Sequence, residues 1–326
     1  MGQLFRKVFA RLKALEKYPA TLYYHLKDLI DSISSSQIFI SNRKDTRNAS
    51  MLLLIHSLEK GLSIVSGGRK FGGGKAETLA KLALECSYVD SNSPIVALSL
   101  SALKQYIESP NAELNANLLS NISALNSQSK ASHEPPISGV KSISPCKFDF
   151  NSLMNFASSR SSIRNFSSTP LKQDQISNAI KFAQTAPSAC NRQASRIHIF
   201  FKKDIQRILD VQLGDQGWGL YATTLFVITS NSSYFNTTYE RSQALIDGGI
   251  FSMQFLMGLH AQGIASCCKM YVRTPSMDHK FRAVTNIPHN EIPILLILAG
   301  NYLDHEVSVP ASWRFPESYV SFIHNS

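Results

Sequence analysis

The spacing of apolar positions divides this chain into two unlike halves. In residues 3–17, Leu4, Phe5, Val8, Phe9, Leu12 and Leu15 recur at helical spacing, with lysines and arginines between them. That pattern predicts a basic amphipathic helix, stopped near Pro19. Helical patterns follow at about 20–33, at 46–60 with Asp45 as a candidate cap, and at about 76–88, 94–108 and 112–125. Residues 1–126 therefore read as an all-helical module. Residues 127–149 are rich in Ser and contain Pro135-Pro136 and Gly139, the composition of a linker.

Beyond the linker, residues 150–326 alternate between two periods. A helix is predicted at 171–185, with Ile176, Ala179, Ile180 and Ala183 on one face. Strands are predicted at 196–201, 223–229, 264–271 and 294–298, and helices at 204–210, 241–262 and 276–285. This order suits one sheet covered by helices, an α+β module. No GxGxxG follows a strand, which argues against a Rossmann dinucleotide site. No fixed-period repeat is present.

Charge sharpens the contrast between the halves. The net charge is +10, and residues 1–80 hold thirteen Lys or Arg against six Asp or Glu, 13 − 6 = +7. A local basic excess points to an anionic partner or to a solvated basic face. The helix at 3–17 fits either weak peripheral contact with an anionic membrane or docking on its own domain. No recognisable nucleic-acid reader motif accompanies the charge, so no nucleic acid is expected. Arg6, Lys7, Arg11 and Lys13 interrupt what a signal peptide needs as an apolar core, and no apolar run is long enough for a membrane span. The five cysteines, Cys86, Cys146, Cys190, Cys267 and Cys268, form no CxxC and no ligand spacing with His, which fits a reducing compartment and no metal. A cytoplasmic location, peripheral at most to the inner membrane face, is the expectation.

The loop Gly67-Gly68-Arg69-Lys70-Phe71-Gly72-Gly73-Gly74-Lys75-Ala76 resembles a P-loop only superficially. Arg69 stands where the first Gly should be, and Ala76 where Ser or Thr should follow the Lys. A basic Gly-rich loop can still cradle an anion through main-chain N–H groups.

The candidate chemistry lies in two segments. Arg160-Ser161-Ser162-Ile163-Arg164-Asn165-Phe166 places two guanidinium groups and two hydroxyls within a short stretch, a set suited to a phosphate. Ala186-Pro187-Ser188-Ala189-Cys190-Asn191-Arg192-Gln193 is a turn rich in amide and hydroxyl groups, suited to the polar edge of a flat heterocycle. Together they resemble the flavin-binding signature of the nitroreductase family, an Arg-x-Ser-x-Arg-x-Phe segment followed by a Pro-Ser-x-x-Asn-x-Gln turn. Asp247-Gly248-Gly249 opening an apolar helix, the strand through Cys267, the apolar strand ending at Gly300 and Trp313-Arg314-Phe315-Pro316-Glu317 follow in the family's order. Two departures bear on substrate. Ala194-Ser195 stand where the family often has Pro-Trp, and Lys269-Met270 where a small apolar residue and Asn are common.

The resemblance implies a nitroreductase-like fold with a mainly antiparallel sheet. It implies FMN held by Arg160, Ser161, Ser162, Arg164, Pro187, Ser188, Asn191, Gln193, Cys268 and Arg314, with Arg314 reaching the phosphate and no catalytic side chain assigned. It further implies reduction of FMN by NAD(P)H, ping-pong transfer to a small-molecule electron acceptor, and a homodimer with two sites at the subunit interface. Gly248, Gly249 and Gly258 would suit close helix packing at that interface. The alternative is a catalytically degenerate flavin fold serving as a membrane-surface or scaffold component. In the first half, His56-Ser57-Leu58-Glu59-Lys60-Gly61-Leu62 with the Gly-rich loop resembles long nitroreductase-like proteins associated with bacterial surface-polysaccharide biosynthesis.

Overall fold

The computed structural model describes residues 26, 44–64, 69–129, 138–212, 217–235, 238–272 and 274–324. The helices expected at 3–17 and 20–33 lie outside the described residues, Leu26 apart, as does the linker stretch 130–137.

Four helices build the first half: α1 (Lys44–Ser63), α2 (Gly73–Ser87), α3 (Pro94–Glu108) and α4 (Ala116–Gln128). Pro94 opens α3 at a position where its missing N–H costs nothing. Asn115 caps α4 by accepting from the Leu118 N–H at 2.8 Å. Met51, Ile55 and Leu58 of α1, Leu79 and Ala83 of α2, Leu103 and Tyr106 of α3 and Leu118 and Leu125 of α4 bury one shared core. The Gly-rich segment serves this core. A Cβ on Gly61 would lie 2.3 Å from the Phe71 ring, so only glycine fits there. The Gly73 N–H donates to the Glu113 carboxylate at 3.0 Å, so an internal acid already occupies the first amide of the anion cradle expected there. Glu59 takes up the far end of the linker, accepting from the Ser138 hydroxyl at 2.9 Å and the Gly139 N–H at 3.0 Å.

The second half contains α5 (Phe150–Ser159), α6 (Gln173–Ala183), β1 (Ser195–Phe201), α7 (Lys202–Leu209), β2 (Thr224–Asn231), α8 (Gln243–His260), β3 (Ile264–Met270), α9 (Pro275–Thr285), β4 (Glu291–Asn301) and α10 (Glu317–Val320). The strands form one antiparallel sheet in the order β1-β2-β4-β3. Strand β2 is buried at all eight positions, as a central strand covered on both faces must be. Leu225, Val227, Leu296 and Leu298 pack on Ile205 and Ile208 of α7 and Phe281 of α9. Phe226, Ile228 and Ile297 face the other way, onto Ile176 and Ala179 of α6 and Phe255 and Leu259 of α8. This is the α+β, mainly antiparallel architecture expected, with the helical region before it.

Two glycines of α8 are used differently from the expectation. A Cβ on Gly248 would meet Ile294 of β4 at 2.6 Å, and one on Gly258 would meet the Ala179 backbone of α6 at 3.2 Å. Both bring α8 against its own domain. Gly249 meets nothing, and it shares the outward side with the exposed Leu245, Ile246, Ile250 and Met253. Helix α5 was not among the helices expected; its Phe150, Leu153 and Met154 stand at helical spacing but are exposed.

The halves share an apolar cluster. Ala49 and Leu52 of α1 pack with Ala194, Tyr234, Phe235 and Ala244. Asp45 lies within α1 rather than before it. Its carboxylate accepts from the Asn231 amide at 2.9 Å and the Asn290 amide at 3.3 Å, so the expected cap residue is a bridge to the second half. Among the described residues, no helix is long and apolar enough to cross a membrane.

A polar cluster closes one end of the sheet. Glu291 accepts from Thr229 Oγ1 at 2.5 Å and pairs with His198 Nε2 at 2.6 Å. Burial pushes the Glu291 carboxyl up, but the hydrogen bonds from His198 and Thr229 and the charges of His198 and Arg196 outweigh it, so the pKa is lowered. A lowered folded-state pKa stabilises the fold above the unfolded value and loses that contribution as pH falls through the folded value. Glu291→Gln is expected to cost about 1.5–3 kcal/mol near neutral pH, and the loss should shrink on acidification. Urea denaturation of both proteins at several pH values measures this. A loss that stays constant into acid would contradict the assignment.

Candidate functional site

The arginine segment is held along the outer edge of the sheet. The Ile163 N–H donates to the Ser266 carbonyl on β3 at 2.9 Å, and the Ser167 N–H to the Asn301 carbonyl at the end of β4 at 2.9 Å. Ile163 and Phe166 are buried in the core beneath, and a Cβ on Gly300 would press the Phe166 side chain at 3.0 Å. Apolar residues at 163 and 166 thus anchor the segment while its polar residues stay near the surface. Its N-terminal end is tied down by α8. The His260 imidazole meets the hydroxyl of Ser159, one residue before Arg160, at 2.8 Å and the Phe156 carbonyl at 3.2 Å.

Arg160, Ser161 and Ser162 are half-buried, and Arg164 is exposed with its guanidinium 5.5 Å from the centre of the Trp218 ring. Neither arginine has a carboxylate partner among the described residues. Both act electrostatically on the adjacent cysteines. Burial raises the Cys267 thiol, while Arg164, the Ser162 hydrogen bond, Arg160 and Lys269 pull it down. The Cys268 thiol is pushed up to about 11, by burial and then by Cys267, against Arg160. Cys268 presents surface to solvent although its sulfur is crowded; a thiol held this high is not a nucleophile at neutral pH. Two cations without a counter-charge, flanked by hydroxyls, form a site for an anion.

The amide turn is built quite differently. Cys190, Asn191 and Gln193 all have positive φ, between 50° and 51°. Left-handed backbone at non-glycine residues costs of order 1 kcal/mol or more each and persists only where the surroundings enforce it. The enforcement comes from Arg192, whose side chain is fully buried. Its Nε donates to the Ala189 carbonyl at 3.1 Å and its Nη1 to the Tyr234 carbonyl at 2.9 Å. Its Nη2 pairs with Glu240, and the guanidinium lies 4.9 Å from the centre of the Phe235 ring. Asp247, buried on α8, accepts from the Ala189 N–H at 3.0 Å and from Gln243 at 2.7 Å. The Ser188 hydroxyl accepts from the Gln193 N–H at 3.1 Å. Ser188 therefore shapes the turn, while Pro187 and the side chains of Asn191 and Gln193 are left exposed.

The structure does not bring the two segments together within one chain. The turn leads into β1 at one edge of the sheet, and the arginine segment lies along β3 at the other. Three strand spacings separate them, about 14 Å, before any offset along the strands is counted. Ser195 registers with Ser230 and Ser230 with Ile292, whereas Cys267 registers with Leu298, further along β4. Arg314 joins neither group. It is exposed, and it donates only to the neighbouring Ser312 and Trp313 carbonyls.

Both segments fall within one family signature. Residues 157–216 match the model described as the nitroreductase family. Solved structures of nitroreductase family proteins are similar to about half of the chain. A nitroreductase-like protein from Streptococcus mutans is 17% identical, covering 54% of this chain and 100% of that one, with a TM-score of 0.48. A nitroreductase family protein from Streptococcus pneumoniae TIGR4 is 17% identical over 53% and 100% of the two chains, with a TM-score of 0.45. The FMN-dependent nitroreductase from Clostridium difficile R20291 is 17% identical over 53% and 99%, with a TM-score of 0.43. No curated protein sequence matches the chain.

Four residues that hold the two segments in place went unassigned in the sequence. Arg192 was hidden between two motif residues, and Trp218 and His260 carried no motif. Asp247 had a signal, a lone acid inside the apolar run of α8. Replacing Arg192 with Ala would remove the cation that pairs with Glu240 and donates to the Tyr234 carbonyl. The expected cost is about 3–5 kcal/mol, the range for breaking a buried ion pair. Chemical denaturation measures it, and a loss under about 1 kcal/mol would show that the turn holds without its guanidinium.

Proposed function

We propose that this protein is an FMN-dependent oxidoreductase that works as a homodimer with two shared sites. The observation that carries the reading is the separation of the two signature segments to opposite edges of one sheet. An anion site and an amide turn on different edges can serve one ligand if they come from different copies. A two-fold pairing would supply each site with the arginines of one copy and the turn of its partner. The exposed Leu245, Ile246, Ile250 and Met253 of α8 offer an apolar face for that pairing. The tail from 303 to 324 carries exposed Trp313, Phe315, Tyr319, Val320, Phe322 and Ile323, which a partner could cover while Arg314 reaches its phosphate.

The residues present fit the flavin. Arg160, Arg164 and the Ser161 and Ser162 hydroxyls would hold the phosphate, and Asn191 and Gln193 would address the polar edge of the ring. Cys268 lies along the edge strand near Arg160 and would line the pocket without reacting. When bound, FMN supplies hydride and electron transfer. The protein binds and orients it, and no side chain in the site is placed as an acid, base or nucleophile. Reduced nicotinamide is proposed as the donor and a small oxidised molecule as the acceptor, in alternating turns at one site. A place in surface-polysaccharide assembly rests on the resemblance of the Glu59-Lys60-Gly61 region and its Gly-rich loop.

Arg160→Ala and Arg164→Ala are each expected to weaken FMN binding roughly ten- to a hundred-fold, the range for one charge-assisted contact. Titration followed by flavin fluorescence tests this, and curves equal to wild type for both variants would overturn the phosphate assignment. Sharing of sites has its own test. Unfolding and refolding an equal mixture of Arg160→Ala and Gln193→Ala chains should restore about a quarter of sites to wild-type affinity, because mixed dimers hold one intact site each. No recovery in a protein that remains dimeric would place each site within a single chain.

A further inference from the structure

Helix α1 reaches the amide turn from the outside. Asp45, in its first turn, accepts from the Asn231 amide at 2.9 Å and the Asn290 amide at 3.3 Å. The Asn231 main-chain N–H donates to the Ala194 carbonyl at 2.9 Å, directly after Gln193. Ala49 and Leu52 of the same helix are buried against Ala194, Tyr234 and Phe235. Tyr234 and Phe235 are the residues whose carbonyl and ring hold the Arg192 guanidinium. Both flanks of the strained turn, Arg192 before Gln193 and Ala194 after it, therefore end on groups that α1 holds in place.

We propose that α1 is the positioning element of this turn, so that the N-terminal helical module sets the affinity of the flavin site without touching the ligand. The proposal rests on the flavin reading of the turn. Three left-handed non-glycine residues in four relax unless their surroundings prevent it. If α1 lets go of Asn231, Tyr234 and Phe235, a smaller fraction of molecules holds Asn191 and Gln193 in the competent arrangement. The apparent dissociation constant rises as the inverse of that fraction. The module's own core is largely separate from this contact, with Ile95 and Leu98 of α3 at the boundary between them. Met51, Ile55 and Leu58 face the other helices, while Ala49 and Leu52 face the second half. One helix therefore carries two surfaces, and the module can be weakened without disturbing the turn.

The test uses the full-length chain with Asp45→Ala, Leu52→Ala and Asp45→Asn, and Ile122→Ala as a control. Ile122 lies on α4, in the core of the helical module, and α4 packs on α2 and α3. Two readouts are taken: titration with FMN and with riboflavin, and hydrogen exchange at the amides of Asn191, Arg192 and Gln193. Asp45→Ala and Leu52→Ala should each weaken FMN roughly ten-fold. They should weaken riboflavin by the same factor, because the ring end and not the phosphate end is disturbed, and they should speed exchange at the three amides. Asp45→Asn keeps an acceptor oxygen and should stay close to wild type. Ile122→Ala should lower the melting temperature and leave affinity and exchange at the turn unchanged. Unchanged exchange at 191–193 in both Asp45→Ala and Leu52→Ala would overturn the proposal. So would an Ile122→Ala effect equal to theirs, since that would be general destabilisation. If wild type binds neither FMN nor riboflavin, the flavin reading falls, and the exchange result still decides whether α1 holds the turn.

Discussion

The buried guanidinium of Arg192 is the contact on which the second half of this molecule turns. It sits in the middle of a loop whose backbone is left-handed on both sides, and it is fully buried. A buried cation is tolerated only when it is paired and hydrogen-bonded, and Glu240 and the Ala189 and Tyr234 carbonyls meet that need. The same bonds fix the loop to the segment after β2. Asp247 fixes its other end to α8. The loop is thus clamped between two elements that the sheet already holds, and its exposed amides are presented in one arrangement.

The sheet supplies the second constraint. Its order places β1 and β3 at opposite edges, and each edge carries one half of the signature. A monomer built this way carries its anion site and its amide turn on opposite edges of the sheet. The apolar outer side of α8 and the exposed aromatic tail belong to the same picture, because both are unpartnered within one chain. Pairing two copies would complete the sites and cover that surface together. Helix α1 adds a tie that the signature segments do not contain, carrying the state of the helical half to the loop through Asp45 and Leu52.

Much of this was legible in the sequence, for physical reasons that differ by element. Period-3.6 and strand-like patterns marked α3, α6 and all four strands, because the apolar residues of each pack into one of the cores. Helix α5 escaped although its Phe150, Leu153 and Met154 stand at helical spacing, because it is short and directly follows the Ser-rich stretch read as a linker. Asp45 read as a cap because its local context is that of a cap, and its true partners, Asn231 and Asn290, are far along the chain. The residue types of the anion segment and the turn were readable from chemistry. Their placement on opposite edges was not, because strand order is set by long-range pairing rather than by local pattern. Arg192 was invisible for a related reason. Nothing local distinguishes a buried arginine from a surface one until its acceptors, which lie over 40 residues away at Tyr234 and Glu240, are brought to it.

The most direct test of the proposed flavin site is a comparison of FMN with riboflavin on the wild-type protein, by titration at low salt. The two ligands share the ring that the amide turn would grip, and they differ in the phosphate that the unpaired arginines would hold. FMN should bind more tightly than riboflavin by roughly a hundred-fold, since at least one charge-assisted contact is made only with the phosphate. Equal affinity for the two, or binding of neither, would contradict the assignment of Arg160 and Arg164 to a flavin phosphate.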